Sequence, residues 1–462
     1  MKFLKNIVNI KRGEGKMVLT FFCFSFFLVA MGLVAKTAKD AYFLSRFEKT
    51  ILPLMFLGVA VVIAPVLTYY TKVSKQLLVK DSLKSLTNIS KKIRLNSLAK
   101  VIAITGSCGK TSLKELLGNI FGKISKVSYS PKSYNNKYGV PLSIFNINKH
   151  DDFNIFEIGM DKKGEIDLLS KITKPDVGVI TNISYAHAKN FKNLNQIADA
   201  KSEIINNINS NGSIVLNADD FFFKKHKKMA LKKNLKIYSF SLKKANTNVC
   251  IKKIIKLKNK YKILININKK QKIFFIKSIF ESNLKNMLAA LAVISIFKNV
   301  NKLNQNIFYN FSNLKGRGDI SKIKIKRKVI KLIDESYNAN PLSVYSAINN
   351  FNLIKKDSGQ KNIILGDMLE LGKHSKKLHK KLAKLINSST IDNVHVYGNY
   401  IKHTFKKIIH KKKGLILRDK NAIISLIKNN INNNDYLMIK GSNSTGLHRL
   451  ASNLKKGNLH AL

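Results

Sequence analysis

The 462-residue chain holds only three cysteines, Cys23, Cys108 and Cys250, widely spaced and odd in number. That excludes a disulfide framework and points to a reducing compartment; no pair has metal-ligand spacing. Acidic residues are scarce too: 26 Asp and Glu stand against 83 Lys and Arg, a net charge of +57. The lysines are spread through every segment beside a large excess of Asn and Ile, the pattern that an AT-rich codon bias produces. No basic element carries the aromatics or base-reading residues of a recognition module, so no specific nucleic-acid partner is expected. The charge would still draw in phosphorylated substrates. There is no Ser/His/Asp constellation for nucleophilic catalysis. Proline is rare, at 6 residues, whereas 45% of the chain is hydrophobic, ample for real cores. The length predicts two or three domains.

Two uncharged apolar runs stand near the N-terminus, MVLTFFCFSFFLVAMGLVA (17–35) and ILPLMFLGVAVVIAPVLTYY (51–70). Each is close to the ~20 residues that cross a hydrocarbon core. No convincing cleavage site follows the first, which argues against a signal peptide. Lys2, Lys5, Lys11, Arg12 and Lys16 precede the first run, and Lys72, Lys75, Lys80 and Lys84 follow the second. Both ends are then expected on the inner side. The expectation is a membrane hairpin over 1–72 and a basic, amphipathic linker over 73–97 near the membrane surface. The chain would be anchored in the inner membrane with its catalytic domains cytoplasmic. A buried helical pair in a soluble domain is the alternative.

ITGSCGKTS (Ile104–Ser112) has the end of a phosphate-binding loop without the glycine that usually opens it, since Gly106 lies only three residues before Gly109. The apolar run KVIAI precedes it, and SLKELLGNIF follows with helical spacing. Strand, glycine turn and helix together aim backbone N–H groups at phosphate oxygens. Gly106, Ser107, Gly109, Lys110, Thr111 and Ser112 are therefore candidate nucleotide contacts. Lys110 would neutralise phosphate charge, and the Thr111 hydroxyl is placed for Mg2+. FNIFEIGM ends another apolar strand in Glu157, and DVGVITNISYAHAKNF runs out to His187. A carboxylate at the C-terminal end of a strand in an open α/β sheet lies where ligands bind, so Glu157 fits a metal-binding acid. ADAKSEI follows with Lys201, which composition alone would read as one more surface lysine.

Taken together, TGSCGKT, FEIGM, TNISYAH and DAKSEI, in this order and spacing, resemble the central domain of the Mur ligase family. These are ATP-dependent amide ligases that build the peptide stem of peptidoglycan, and their phosphate loop is the short form seen here. The resemblance implies ATP and two Mg2+ ions, held by Thr111, Glu157 and His187. It further implies that Lys201 reacts with CO2 to become a carbamate beside the metals. SYNNKYGVPLS resembles the segment of the branch that attaches a D-alanyl-D-alanine dipeptide, which puts Asn135 and Asn136 near ATP and the acyl substrate. ESNLKNMLAALAV resembles a helix of the same branch; Asn283 and Asn286 are kept, while Ser282 stands where a histidine commonly meets the nucleotide.

From about residue 314 the chain restarts as alternating strands (KVIKLID, NIILGDM, NVHVYG, DYLMIKGS) and helices, which reads as a second doubly wound domain. The expected fold is α/β: a transmembrane hairpin, a P-loop-type central ATPase domain over 98–313, and a Rossmann-like C-terminal domain over 314–462. Arg317 in KGRGDI resembles the family arginine that reaches back to ATP. IDESYNANPLS has the form of the dipeptide-adding branch, implying that Asp334 meets ribose and Asn338 the nucleotide. Tyr337 and Asn340 can be read as structural, and Asp367, Glu370 and His379 in ILGDMLELGKHSKKLH as helix-entry and capping residues. Lys440 in KGSNST is apt for the incoming dipeptide's carboxylate. No substitute for the family's uridine-binding domain is found upstream of the loop. The acceptor is then a UDP-muramyl-peptide or its lipid-linked equivalent, at a membrane. A Mur-like ligase acting on another acyl acceptor such as poly-γ-glutamate, and a non-ligating P-loop ATPase, remain open.

Overall fold

The computed structural model describes residues 81–309, 311, 314–325, 327–356 and 358–457. The chain divides into two compact units, Met1–Ser82 and Leu83–Leu462. The described elements lie in the second, apart from the first residue of the first helix.

That helix, α1 (Ser82–Leu95), falls within the stretch read as a linker. Its Arg94 is buried and donates to the carbonyls of Thr173 (2.8 Å) and Lys174 (3.3 Å), which close the helix Glu165–Thr173. A guanidinium on orphan C-terminal carbonyls ties α1 to the end of that helix.

The first sheet is built from β1 (Lys100–Thr105), β2 (Val127–Tyr129), β3 (Phe153–Glu157), β4 (Val177–Ile180), β5 (Ser213–Asn217), β6 (Lys236–Ser241), β7 (Val249–Lys256), β8 (Tyr261–Ile267) and β9 (Lys270–Ile276). Their order is β2-β3-β1-β4-β5-β6-β7-β8-β9, parallel through β7 and antiparallel beyond. Strands β3, β4 and β5 are buried along their whole length, as apolar parallel strands covered on both faces should be. The chain leaves β1 on one side for β2 and β3, then crosses to the other for β4. The switch point therefore falls at the carboxyl end of β1, where open α/β sheets bind ligands.

The second sheet contains β10 (Asp319–Ile325), β11 (Lys328–Asp334), β12 (Lys361–Gly366), β13 (Asn393–Tyr397), β14 (Lys413–Leu417) and β15 (Tyr436–Lys440), in the order β10-β11-β15-β12-β13-β14. Only β10 is antiparallel. β15, last in the chain, slots between β11 and β12, so Asp334, Lys440 and Gly366 end neighbouring strands. One apolar cluster joins residues of the first sheet, such as Phe156 and Ile180, to residues of the second, such as Ile333 and Ile363.

The expected membrane hairpin lies outside the described residues. Among the described residues no helix is long and apolar enough to cross a membrane. The longest of them, α2 (Glu281–Phe297), has 17 residues and packs its apolar stretch into the core beside the first sheet. At 1.5 Å per residue it reaches about 25 Å, short of the ~30 Å hydrocarbon core.

Candidate active site

The phosphate loop turns out of β1 and enters the helix Lys110–Phe121 at Gly109, whose φ is +82°. Gly106 has φ +141°, and a Cβ there would lie 2.0 Å from Thr181 Oγ1. Glycine is thus required at this position by conformation and by space. The segment after β4 braces the loop: Ser107 N donates to Asn182 O (2.9 Å), Ser107 Oγ to Ser184 O (2.9 Å), and Thr181 Oγ1 to Cys108 O (2.6 Å). Lys110 Nζ rests on Gly106 O at 2.9 Å.

Thr111 Oγ1 donates to Glu157 Oε2 at 2.7 Å, and Asn135 Nδ2 to Glu157 Oε1 at 2.6 Å. Glu157 is 1% exposed, so a deeply buried carboxylate is held by neutral donors beside the loop. The second domain reaches this corner directly. Arg317 donates to Thr111 Oγ1 (3.1 Å), stacks over the Tyr337 ring with its guanidinium carbon 4.2 Å from the ring centre, and Tyr337 donates to Ser133 Oγ (2.9 Å). Asn136, by contrast, spends its side-chain oxygen on the N–H groups of Tyr138 and Gly139, closing a turn. Lys114 is fully buried and donates to the carbonyls of Ser130 and Lys132, pinning the loop that carries Ser133 and Asn135.

Lys201 is only 1% exposed, which refutes the surface-lysine alternative. Burial pushes its ammonium well below the ordinary lysine pKa, and repulsion from Lys110 adds to the shift. His187, at φ +53°, has Nδ1 2.6 Å from Glu370 Oε2. That hydrogen bond lowers the Glu370 carboxyl below its usual range.

From the second domain, Asn340 caps the helix Pro341–Leu353 by accepting from Ser343 N, and its Nδ2 also donates to Ser107 O at 3.3 Å. The Cys108 thiol donates to Asn340 Oδ1 (3.1 Å), and burial pushes that thiol's pKa up. Lys440 donates to the carbonyls of Glu335 (3.0 Å) and Asn338 (2.6 Å); burial lowers its pKa, opposed by Glu335. Asp334 is 1% exposed and engaged with Ser336 and Lys455. Asp367 accepts from Asn399 N and Ile401 N, and His379 accepts from Met368 N, so both hold local turns.

Many of these groups line one cavity of about 800 Å³. Ser107, Gly109, Lys110, Thr111, Ser112, Asn135, Glu157, His187, Asn286, Arg317, Asn338 and Lys440 line it. Gly106, Asn136, Lys201 and Asp334 do not, and Glu370 joins the lining although the sequence suggested only a capping role. Ser133, Asn182 and Ser184 also line it and were missed, since lone Ser and Asn residues in loops carry no pattern. Within the cavity, Thr111 and Glu157 offer hard oxygens and His187 an imidazole to a divalent cation. Among the described residues no three His, Cys, Asp or Glu side chains close on one point. Phosphate and water oxygens would therefore supply most of the shell, as Mg2+ prefers.

A short phosphate loop at the switch point of one sheet, roofed by the strand ends of another, is the arrangement of an ATP-dependent ligase with two α/β domains. Residues 104–294 match the Mur ligase middle domain and residues 321–443 the Mur ligase glutamate ligase domain. The chain belongs to the Mur ligase family. It is 31% identical over 404 residues to the UDP-N-acetylmuramoyl-tripeptide–D-alanyl-D-alanine ligase of Buchnera aphidicola subsp. Baizongia pistaciae, covering 86% of this chain and 85% of that one. A crystal structure of MurF from Acinetobacter baumannii superimposes with a TM-score of 0.73 at 27% identity, covering 82% of each chain. The MurF ligase of Thermotoga maritima, in complex with ADP, shares the fold with a TM-score of 0.72 at 24% identity, covering 84% of this chain and 87% of that one. The Buchnera relative is named for a UDP-linked substrate, not a lipid-linked one. Neither a hairpin in place of a uridine-binding domain nor a lipid-linked acceptor finds support, and the inner-membrane placement is withdrawn.

Proposed function

We propose that this chain joins D-alanyl-D-alanine to a UDP-muramyl-tripeptide by ATP-driven amide formation. The observation that carries the reading is the shared cavity, in which the phosphate loop of one domain faces the DESYNANP turn of the other. The relatives' names supply the substrates. The terminal carboxylate of the tripeptide attacks the γ-phosphate, forming an acyl phosphate and releasing ADP. The amine of the dipeptide then attacks the activated carbonyl carbon; the bond from that carbon to the phosphate oxygen breaks, phosphate leaves with its electron pair, and the nitrogen loses a proton. Two Mg2+ ions, when bound, would offset charge on the transferring phosphoryl group.

The chain's own groups act by position and charge. Lys110 would leave Gly106 O for the β- and γ-phosphates, while the loop N–H groups from Gly109 to Ser112 would hold them. Thr111, Glu157 and His187 would hold metal. Arg317, already on Thr111, would reach the γ-phosphate; Asn286 and Asn338 flank the nucleotide, and Asn135 the acyl substrate. The buried position of Lys201 favours a neutral amine, the form that attacks CO2. Its nitrogen would bond the carbon and lose a proton, leaving a carbamate anion. Lys440 would turn toward the dipeptide's carboxylate, whereas Asp334 and Asn136 serve through the turns they hold. Incubation with ATP, Mg2+, UDP-muramyl-tripeptide and D-alanyl-D-alanine tests the reading. Phosphate release that requires both peptides supports it. Release without them, or only with poly-γ-glutamate, refutes it.

A further inference from the structure

His187 and Glu370 are non-glycine residues with left-handed backbones, at φ +53° and +62°. Such conformations are strained for a residue with a Cβ and persist where the surroundings impose them. Here each is imposed by the other's loop. Lys189 N donates to Glu370 O (2.8 Å), and a Cβ on Gly372 would stand 2.9 Å from Lys189 Cα. The His374 ring contacts Phe191 O (3.3 Å), and its centre lies 4.9 Å from that of Tyr185. Two backbones are clipped together so that one imidazole meets one carboxylate.

The carboxylate comes from the far domain, although the near domain has one of its own. Asp161 Oδ1 is 3.8 Å from His187 Nδ1, beyond hydrogen-bond range, and is buried without a hydrogen-bond partner among the described residues. Glu370 Oε2, at 2.6 Å, accepts a hydrogen bond from Nδ1–H, so the proton stays on that nitrogen. With that nitrogen committed, Nε2 is the only one left with a lone pair, the state in which histidine binds metal.

We infer that Glu370 is a positioning residue that fixes the tautomer and direction of His187, so that docking of the second domain completes the metal site. The inference rests on His187 being a metal ligand in the proposed function. Glu370 has a side chain 47% exposed, so its variants should fold. The test uses the full chain, with Mn2+ binding in the presence of ADP followed by electron paramagnetic resonance and the Mg2+ dependence of phosphate release. Glu370→Ala is expected to raise the half-saturating metal concentration roughly 10–100-fold, the usual effect of losing a partner behind a ligating histidine. Excess metal should restore most of the rate. Glu370→Gln, which keeps an acceptor oxygen, should lose only a few-fold, and His187→Ala should abolish the further effect of Glu370→Ala. Melting temperatures should be unchanged. Wild-type metal affinity in Glu370→Ala, or a loss that excess metal does not restore, overturns the link. A wild-type chain that binds Mn2+ as expected yet never ligates overturns the proposed function and leaves the link standing.

Discussion

Replacing Lys201 by methionine separates the cost of a buried amine from its use. The side chain is 1% exposed, and burial has already driven its pKa well below that of a free lysine. An ordinary structural lysine would lose packing and hydrogen bonds on replacement. Here methionine keeps nearly the same unbranched stem, and near-isosteric hydrophobic swaps cost less than about 1.5 kcal/mol. Removing a polar group from a dry site returns about 1–3 kcal/mol of desolvation cost. The two nearly cancel, so the unfolding free energy should stay within about 2 kcal/mol of wild type, on the stabilised side. Ligation should fall by about 10²–10³-fold or more, the loss seen when one group stabilising transition-state charge is removed. Urea unfolding and peptide-dependent phosphate release measure the two quantities on the same preparation. A variant that is destabilised by more than about 2 kcal/mol, or that turns over normally, would refute the reasoning.

Gly106→Ala places a methyl group 2.0 Å from Thr181 Oγ1 at φ +141°, so the loop must shift and the Thr181–Cys108 bond break. Strain and the lost bond together come to about 2–4 kcal/mol, and ADP affinity measured by calorimetry should fall at least ten-fold; unaltered affinity would refute the geometry. Burial holds His395 at a pKa of about 4 against an ordinary 6.5, so between these values only the unfolded chain binds its proton. Stability is full above about pH 6.5 and falls toward pH 4, by up to about 3 kcal/mol from this residue. His395→Asn keeps an acceptor for Leu415 N and should flatten that acid limb in urea melts, although His226, also at about 4, retains its own share. An unchanged slope would refute the assignment.

Much of the architecture could be read locally. KVIAI, KVIKLID, NIILGDM and NVHVYG became β1, β11, β12 and β13 because short β-branched runs between turn residues report their own conformation. β7 to β9 are not legible in the sequence: lysines interrupt their apolar alternation, and period two survives in Ile263, Ile265 and Ile267 of β8 and in Phe274 and Ile276 of β9. Asp334 and Asn136 followed the family strings, yet their oxygens are occupied by neighbours. Nothing in the string GDMLELG distinguishes Glu370 from a capping residue.

The order of residues along the chain settled the phosphate loop, the strands that end in Glu157 and before His187, and the family they resemble. Each of those features depends on residues a few positions apart, where steric preference and hydrophobic period act. Folding alone put Arg317 on Thr111, 206 residues away, and Asn340 on Ser107, 233 residues away. It also buried Lys201 and set Glu370 against His187. Contacts at such separations arise from the crossing of β15 between older strands and from the packing of one sheet's strand ends over another's. No local propensity encodes that.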